Sequence, residues 1–214
     1  MGRANIGTQG RDMWSTVASD SPAVGLTPHP AMTGLKQRSL IAARIREAFD
    51  GVHRPPEAMI APHECDDCAA VRAAFAPFEW FNLPWTLIEL YPCELNLLGP
   101  EAYVYYLPAY ILYSLAHFTP YDIVTEMTVY TLAPTPDQER SAASLGHAYE
   151  RLRQFTRGQI ETAAAFVELA QADPTFTAYM GDLEPRRLRL LRFWEKRWDW
   201  YEDSWQEDRD VHFP

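Results

Sequence analysis

Apolar residues recur along much of this chain with the three- and four-residue spacing of a helix face. The first such stripe stops at Gly51 and predicts an amphipathic helix over residues 35–50. Its apolar positions are Leu40, Ile41, Ile45, Ala48 and Phe49. Pro55 and Pro56 then require an extended connection. A second helix is predicted over residues 65–76, because acidic residues near its start suit the positive end of a helix.

The middle of the chain is its most apolar part. A short helix is predicted over residues 85–90. Proline lacks a backbone N–H, so Pro108 predicts a division between one helix at residues 101–107 and another at residues 109–118. Residues 122–132 combine helical spacing with many β-branched residues that would also suit a strand, and we predict a helix there.

Three further helices are predicted in the second half of the chain. The first covers residues 139–155. Thr156 followed by Gln159 forms a capping box that begins the next one. Pro185 marks the start of the last helix. The core-facing stripe predicted for this last helix consists of Leu191, Trp194, Trp198 and Tyr201.

The length and composition predict one folded domain. A chain of 214 residues can form a single core, and a hydrophobic content of 47% requires extensive burial. We predict a mainly α fold, with a single compact multi-helix domain over residues 34–202. Residues 1–33 mix Gly, Ser, Thr and Pro without a period and are predicted to be a disordered leader. Residues 203–214 are predicted to be an acidic tail.

The charge and the cysteine content indicate which kinds of partner and which cellular compartment to expect. The 29 Asp and Glu residues against 19 Lys and Arg residues give a net charge of -10, which disfavours nucleic acid as a ligand. An acidic surface with exposed aromatic side chains would instead suit another protein. Three cysteines form no paired framework, so we expect a reducing compartment, the cytoplasm. The richest apolar run, residues 103–115, is shorter than the ~18–20 residues of a membrane span, and we expect no membrane association.

One cluster of residues has the composition of a metal site. His63, Cys65 and Cys68 place an imidazole and two thiols within six residues, and zinc prefers this set of ligands. If the two cysteines lie in the first turn of a helix, their spacing points both sulfurs to one side. A structural zinc also needs a fourth protein ligand, whereas a catalytic zinc leaves that position to water. The candidates for the fourth ligand are Cys93, His53 and His117.

Two other interpretations of the cysteine cluster stay open. The thiols could be reactive or redox groups, or they could be ordinary residues of a folded chain. Asp66 and Asp67, which lie between the two cysteines, disfavour a thiolate, while the N-terminus of a helix favours one. No βαβ pattern surrounds the pair, as a thioredoxin-like oxidoreductase would require.

Other chemical sites have weaker support. The sequence contains no glycine-rich phosphate loop after a strand, no Gly-x-Ser-x-Gly elbow and no His-Glu-x-x-His pair. A series of tyrosines could line a ligand pocket. We predict instead that these rings pack in the core with their hydroxyl groups reaching the surface. The series is Tyr103, Tyr105, Tyr106, Tyr110 and Tyr113.

The order of these motifs resembles an uncharacterised family of small bacterial proteins, one of the domains of unknown function. The features that carry the resemblance are His63-Glu64-Cys65-Asp66-Asp67-Cys68, Trp80, Leu83-Pro84, the segment from Leu97 to Tyr110 with its Tyr105-Tyr106-Leu107-Pro108-Ala109-Tyr110, and Leu132-Ala133-Pro134. The likeness extends over residues 41–198, and it departs from the family pattern between Pro134 and Phe155. The family has no established activity, so the resemblance implies only a shared structural or metal role for the cysteine cluster.

These observations predict a small, soluble, helical binding or accessory protein. In this prediction, His63, Cys65 and Cys68 hold a structural zinc that pins the loop before the second helix. The alternative is an enzyme that uses the same cluster, either as a zinc site with one open position or as a pair of redox thiols.

Overall fold

The chain is mainly α-helical, as predicted. The computed structural model describes residues 30–117, 122–132, 142–172 and 186–195, apart from the side chains of 30–33, 142–145 and 186–189. Within these ranges there are nine α-helices, two short 3-10 helices and no strand. The α-helices are α1 (Pro30–Ala48), α2 (Glu57–Ile60), α3 (Asp66–Phe75), α4 (Trp85–Leu90), α5 (Pro100–His117), α6 (Ile123–Leu132), α7 (Ala142–Arg153), α8 (Arg157–Gln171) and α9 (Arg186–Glu195), and the 3-10 helices are Trp80–Asn82 and Glu94–Asn96.

Helix α5 is the centre of the fold. It is apolar on all sides, as expected for a helix inside a core. Helices α1, α2, α4, α6 and α7 pack around it, together with both 3-10 helices. In the described part of the chain, no helix combines the length and the apolar composition of a membrane span.

The predicted division of this helix at Pro108 is wrong, because α5 runs unbroken from Pro100 to His117. Pro108 cannot donate the hydrogen bond that would normally reach the carbonyl of Val104. The flanking residues Leu107 and Ala109 are buried, as is Pro108 itself. Packing on every side therefore maintains a helix that local propensity alone would interrupt.

The predicted helix at residues 122–132 is confirmed as α6. Asp122 caps it: its carboxylate accepts hydrogen bonds from the backbone N–H groups of Val124 (3.2 Å) and Thr125 (3.3 Å). The hydroxyl of Thr128 donates to the Val124 carbonyl at 2.7 Å. Bonds of this kind satisfy the hydroxyl groups of threonines that lie inside a helix.

The predicted capping box at the start of α8 is also confirmed. The Thr156 hydroxyl accepts the Gln159 N–H at 3.3 Å, and the Thr156 N–H donates to the Gln159 side chain at 2.9 Å. The buried face of α8 includes Ile160, Ala163, Val167 and Ala170, and it packs against α1, α6 and α9.

The stripe predicted for the last helix needs correction. Among the α9 side chains that the structure describes, those of residues 190–195, Leu190 and Phe193 are buried, while Leu191 and Trp194 are partly buried. The Trp194 indole N–H reaches the carbonyl of Phe155 at 3.4 Å, which holds the ring at the edge of the core. Several predicted features lie outside the described residues, namely positions 1–29 of the leader, the side chains of Trp198 and Tyr201, and the acidic tail.

The predicted packing of the α5 tyrosine rings in the core is confirmed, but the prediction that their hydroxyl groups reach the surface is wrong for Tyr103, Tyr106 and Tyr110, which are at most 1% accessible. All five rings are buried, and their hydroxyl groups bond to protein atoms. The bonds are Tyr103 with the Thr131 hydroxyl (3.1 Å), Tyr105 to the Glu79 carboxylate, Tyr106 to the carbonyls of Phe75 and Phe78 (3.1 and 3.2 Å), Tyr110 to the carbonyl of Tyr91 (2.7 Å) and Tyr113 to the Glu89 carboxylate (3.0 Å). These bonds tie the surrounding segments to the central helix.

Candidate thiol site

The segment that leads to the cysteine pair lies against the start of α5. The Gly99 N–H donates to the carbonyl of Ile60 at 2.9 Å. A Cβ at position 99 would lie 2.7 Å from the Met59 carbonyl oxygen and 3.2 Å from the Pro62 ring. Only glycine permits this close approach of two backbones. The contacts with Gly99, the residue before α5, therefore fix the path of residues 59–62.

Arg72 fastens the same segment to α3. Its guanidinium donates to the carbonyl of Ala61 and, at 3.3 Å, to the carbonyl of His63. Ala61 and His63, four and two residues before Cys65, are therefore linked to the helix that carries Cys68. This link is made by protein groups and holds the loop that we predicted a zinc ion would pin.

Cys65 is the N-cap residue of α3. Its backbone is extended (φ -133°, ψ 161°), and its sulfur accepts the N–H of Cys68 at 3.3 Å. Cys65 is exposed, whereas only 1% of Cys68 is accessible. The sequence spacing predicted two sulfurs on one side of a helical turn, and the cap arrangement agrees with that geometry.

The two thiols also interact directly. The pKa of the Cys68 thiol is raised, chiefly by its hydrogen bond to the Cys65 side chain and then by burial. The charge of Arg72 acts in the opposite direction, and that of Asp67 adds to the increase. Cys68 is therefore a protonated, shielded thiol beside an exposed one.

His63 lies two residues before the cap and is exposed. Its backbone carbonyl is held by Arg72. On α7, burial is the main cause that lowers the pKa of His147, followed by the charge of Arg151, with a smaller effect from His63. His63 therefore lies within electrostatic range of His147. His147 and Arg151 are four residues apart, and this spacing is the sequence signal that puts them on one helix face.

The three candidates for a fourth zinc ligand lie elsewhere. Cys93 is close to Glu94 and Glu126, whose charges add to burial in raising its pKa. His53 lines a surface cavity of about 330 Å³ beside Glu101. The ring of His117 packs against Trp85 with centroids 4.3 Å apart. Among the described residues, no three His, Cys, Asp or Glu side chains converge on one point as metal ligands would.

Arg151 is a structural residue that the sequence pattern did not indicate, because arginines in amphipathic helices are usually exposed. It is 4% accessible. Its guanidinium donates to the carbonyls of Leu95 (3.1 Å) and Asn96 (2.7 Å), and it lies 4.6 Å from the centre of the Tyr103 ring. Arg151 thereby secures the segment just before Gly99, against which the thiol-site loop packs.

Comparison with known proteins identifies the family. A family model described as "Family of unknown function (DUF6714)" matches residues 37–198. This chain belongs to DUF6714. The match confirms the predicted resemblance to a domain of unknown function, while the place of the His/Cys motif in that family and a bacterial source stay predictions. No curated protein and no solved structure matches the chain significantly.

The DUF6714 domain therefore presents one paired thiol site. The exposed Cys65 sulfur accepts the backbone N–H of Cys68 at the start of a ten-residue helix, and the buried Cys68 thiol is its neighbour in the same turn. Two adjacent cysteines can be oxidised to a disulfide or can share a soft metal ion. The loop before them is held by Arg72 and Gly99, so the exposed Cys65 sulfur lies on a fixed part of the surface, next to the buried Cys68.

Proposed function

We propose that this DUF6714 protein is a small helical accessory protein whose Cys65–Cys68 pair undergoes reversible thiol–disulfide exchange. The observation that carries the proposal is the pairing of an exposed N-cap cysteine with a buried cysteine three residues later, joined by an N–H···S bond of 3.3 Å. A disulfide requires only these two sulfurs. Both belong to the same helical turn.

The two cysteines have different roles in this exchange. Cys65 is the accessible sulfur, so its thiolate attacks one sulfur of an incoming low-molecular-weight disulfide and releases the first thiol. The buried Cys68 then gives up its proton and attacks the Cys65 sulfur, which releases the second thiol. The small disulfide is reduced to two thiols, and the two cysteine thiols are oxidised to one disulfide.

The elevated pKa of Cys68 fits the role of the second, resolving thiol. A protonated thiol is a poor nucleophile, so Cys68 does not compete with Cys65 for the incoming disulfide. Once a mixed disulfide forms, Cys68 and the Cys65 sulfur are already neighbours, which favours the intramolecular step.

A redox titration of the full chain tests the proposal. The protein is equilibrated in buffers with increasing ratios of oxidised to reduced glutathione, then quenched in acid, alkylated and mapped by mass spectrometry. We expect a Cys65–Cys68 disulfide to form in one two-electron transition. Cys93→Ser is the matched control and should keep this transition, whereas Cys68→Ser should accumulate glutathione on Cys65. A wild-type chain in which Cys65 retains glutathione would contradict the proposal.

A zinc site on the same sulfurs is the second candidate function. Support comes from the two adjacent thiols and from His63, whose backbone is fixed two residues before Cys65. Together they are the ligand types that zinc prefers. Metal analysis of the full chain, purified without chelators, should then find one zinc per chain, and a clearly lower content would refute this candidate. Cys65→Ser separates its two forms, because loss of a structural zinc unfolds the protein and loss of a catalytic zinc leaves it folded.

A further inference from the structure

Positive charge is absent from the middle of the sequence. Residues 73–139 contain no Lys or Arg, although the whole chain has 19. The same stretch contains eight carboxylates, which are Glu79, Glu89, Glu94, Glu101, Asp122, Glu126, Asp137 and Glu139. The formal charges carried by this stretch of sequence are therefore all negative. Among the described residues, Glu79 pairs with Arg54 from outside the stretch at 3.3 Å.

Apolar side chains are exposed on one part of that surface. In α4, Ile88 is fully buried, whereas 49% of Trp85 and 68% of Leu90 are accessible. In the 3-10 helix just before it, 69% of Phe81 is accessible. Core packing therefore explains the inner side of α4 and leaves about half of Trp85 and most of Leu90 accessible. We call the outer surface of Phe81, Trp85, Glu89 and Leu90 the α4 face.

The central residues of the α4 face are held rigidly by α5. The Trp85 ring packs edge-on against His117 (4.3 Å between centroids) and Tyr113 (6.1 Å). The Tyr113 hydroxyl donates to the Glu89 carboxylate at 3.0 Å. Trp85 and Glu89 are one helical turn apart, so a fixed aromatic ring lies beside a fixed carboxylate. Preorganised aromatic side chains of this kind are typical of the residues that dominate protein interfaces.

We propose that the α4 face is a docking site for a basic amphipathic helix of another protein. Apolar side chains of the partner would cover Trp85 and Leu90, while its Lys or Arg residues would lie beside Glu89. Charge complementarity favours this occupant, since residues 73–139 supply eight carboxylates and no Lys or Arg. A second copy of the chain would bring the same carboxylates together. The proposal is independent of the thiol–disulfide exchange, because it rests on different residues.

A designed peptide provides the probe. A fluorescent peptide of Leu and Lys with helical amphipathic spacing is titrated with the full chain, and binding is followed by anisotropy. A Leu and Glu peptide with the same spacing and a Leu and Lys peptide with scrambled order serve as control peptides. We expect the amphipathic basic peptide to bind best, with affinity that falls as salt is added. Equal binding of the scrambled peptide, or no binding of any peptide, would overturn the proposal.

Variants locate the binding to the α4 face. We expect Trp85→Ala to weaken binding at least about tenfold, as for an interface anchor. Leu90→Ser and Glu89→Gln should each weaken it several-fold. The matched control is Leu40→Ala on α1, because Leu40 is similarly exposed (58%) but lies on another surface. Unchanged binding in both Trp85→Ala and Leu90→Ser would overturn the proposal, and so would a Trp85-dependent dimer of the chain in sedimentation velocity. Leu90 is so exposed that Leu90→Ser serves as the test if Trp85→Ala unfolds.

Discussion

Gly99→Ala is the substitution that most directly tests how the thiol-site loop is held. The added Cβ would lie 2.7 Å from the Met59 carbonyl oxygen, well inside the ~3.5 Å of an ordinary carbon contact. It would also lie 3.2 Å from the Pro62 ring. The first neighbour is backbone and the second is a rigid ring, so neither can rotate away. The segment itself has to move, which strains the 2.9 Å bond from the Gly99 N–H to Ile60.

The expected cost follows from the size of this clash. Forcing an extra methyl group into a packed site usually costs about 1–3 kcal/mol. For a domain of this size that corresponds to a decrease in Tm of roughly 2–10 °C. Because the displaced segment leads directly to Cys65, we also expect the buried Cys68 to react faster with iodoacetamide.

Thermal and urea unfolding, followed by circular dichroism at 222 nm, measure the effect. Gly158→Ala is the matched control, because the same substitution meets no atom within 4 Å there. Gly158 lies in the first turn of α8, where alanine is the better helix former, so the control should be unchanged or more stable by up to about 1 kcal/mol. If Gly99→Ala unfolds at the wild-type temperature, the close approach of the two backbones does not hold the loop.

Two further predictions concern the helical framework. Thr156→Ala removes the side chain that caps α8. It should lower the free energy of unfolding, measured in urea, by about 1 kcal/mol. An equal loss in the control Thr86→Ala, on α4, would contradict the capping role. Burial raises the pKa of Tyr103 and of Tyr113 to about 12. The folded state therefore holds these protons more tightly than the unfolded state, so stability is constant below the ordinary tyrosine pKa of 10.0 and falls as the pH rises towards 12. An ultraviolet titration should show the α5 tyrosines ionising together with the loss of helical signal, and ionisation of all tyrosines near pH 10 with the helices intact would refute this.

Local patterns explain why much of the fold could be predicted. The capping box of Thr156 and Gln159 joins residues three apart, so the sequence contains the whole interaction. The helix at 123–132 has a local cap in Asp122. Pro108 could not be placed correctly from the sequence, because its helix is maintained by neighbours from distant parts of the chain. The buried residues of α9 differ from the predicted stripe for the same reason. Trp194 bonds to Phe155, which is distant in the sequence.

At the thiol site, too, the features set by nearby residues were easier to predict than those set by residues distant in the sequence. The spacing of Cys65 and Cys68 predicted two sulfurs on one side of a helical turn. Cys65 is instead the N-cap just before the helix, a role that the spacing alone does not specify. The contacts that hold the loop could not be predicted, because they join residues far apart in the sequence. Gly99 and Met59 are 40 positions apart, and Arg151 bonds to carbonyls 55 and 56 positions away. The zinc interpretation rested on ligand types, and ligand types alone do not specify which side chains converge.

The reaction of reduced protein with an aromatic disulfide that releases a coloured thiol tests the central claim most directly. The experiment uses full-length protein with Cys93→Ser, so that only Cys65 and Cys68 can react. We predict that two equivalents of coloured thiol are released, the second at a rate that does not depend on reagent concentration, and that the product mass shows no attached reagent. Release of one equivalent, with the aromatic thiol still bound to Cys65, would show that Cys68 does not resolve the mixed disulfide and would contradict the account.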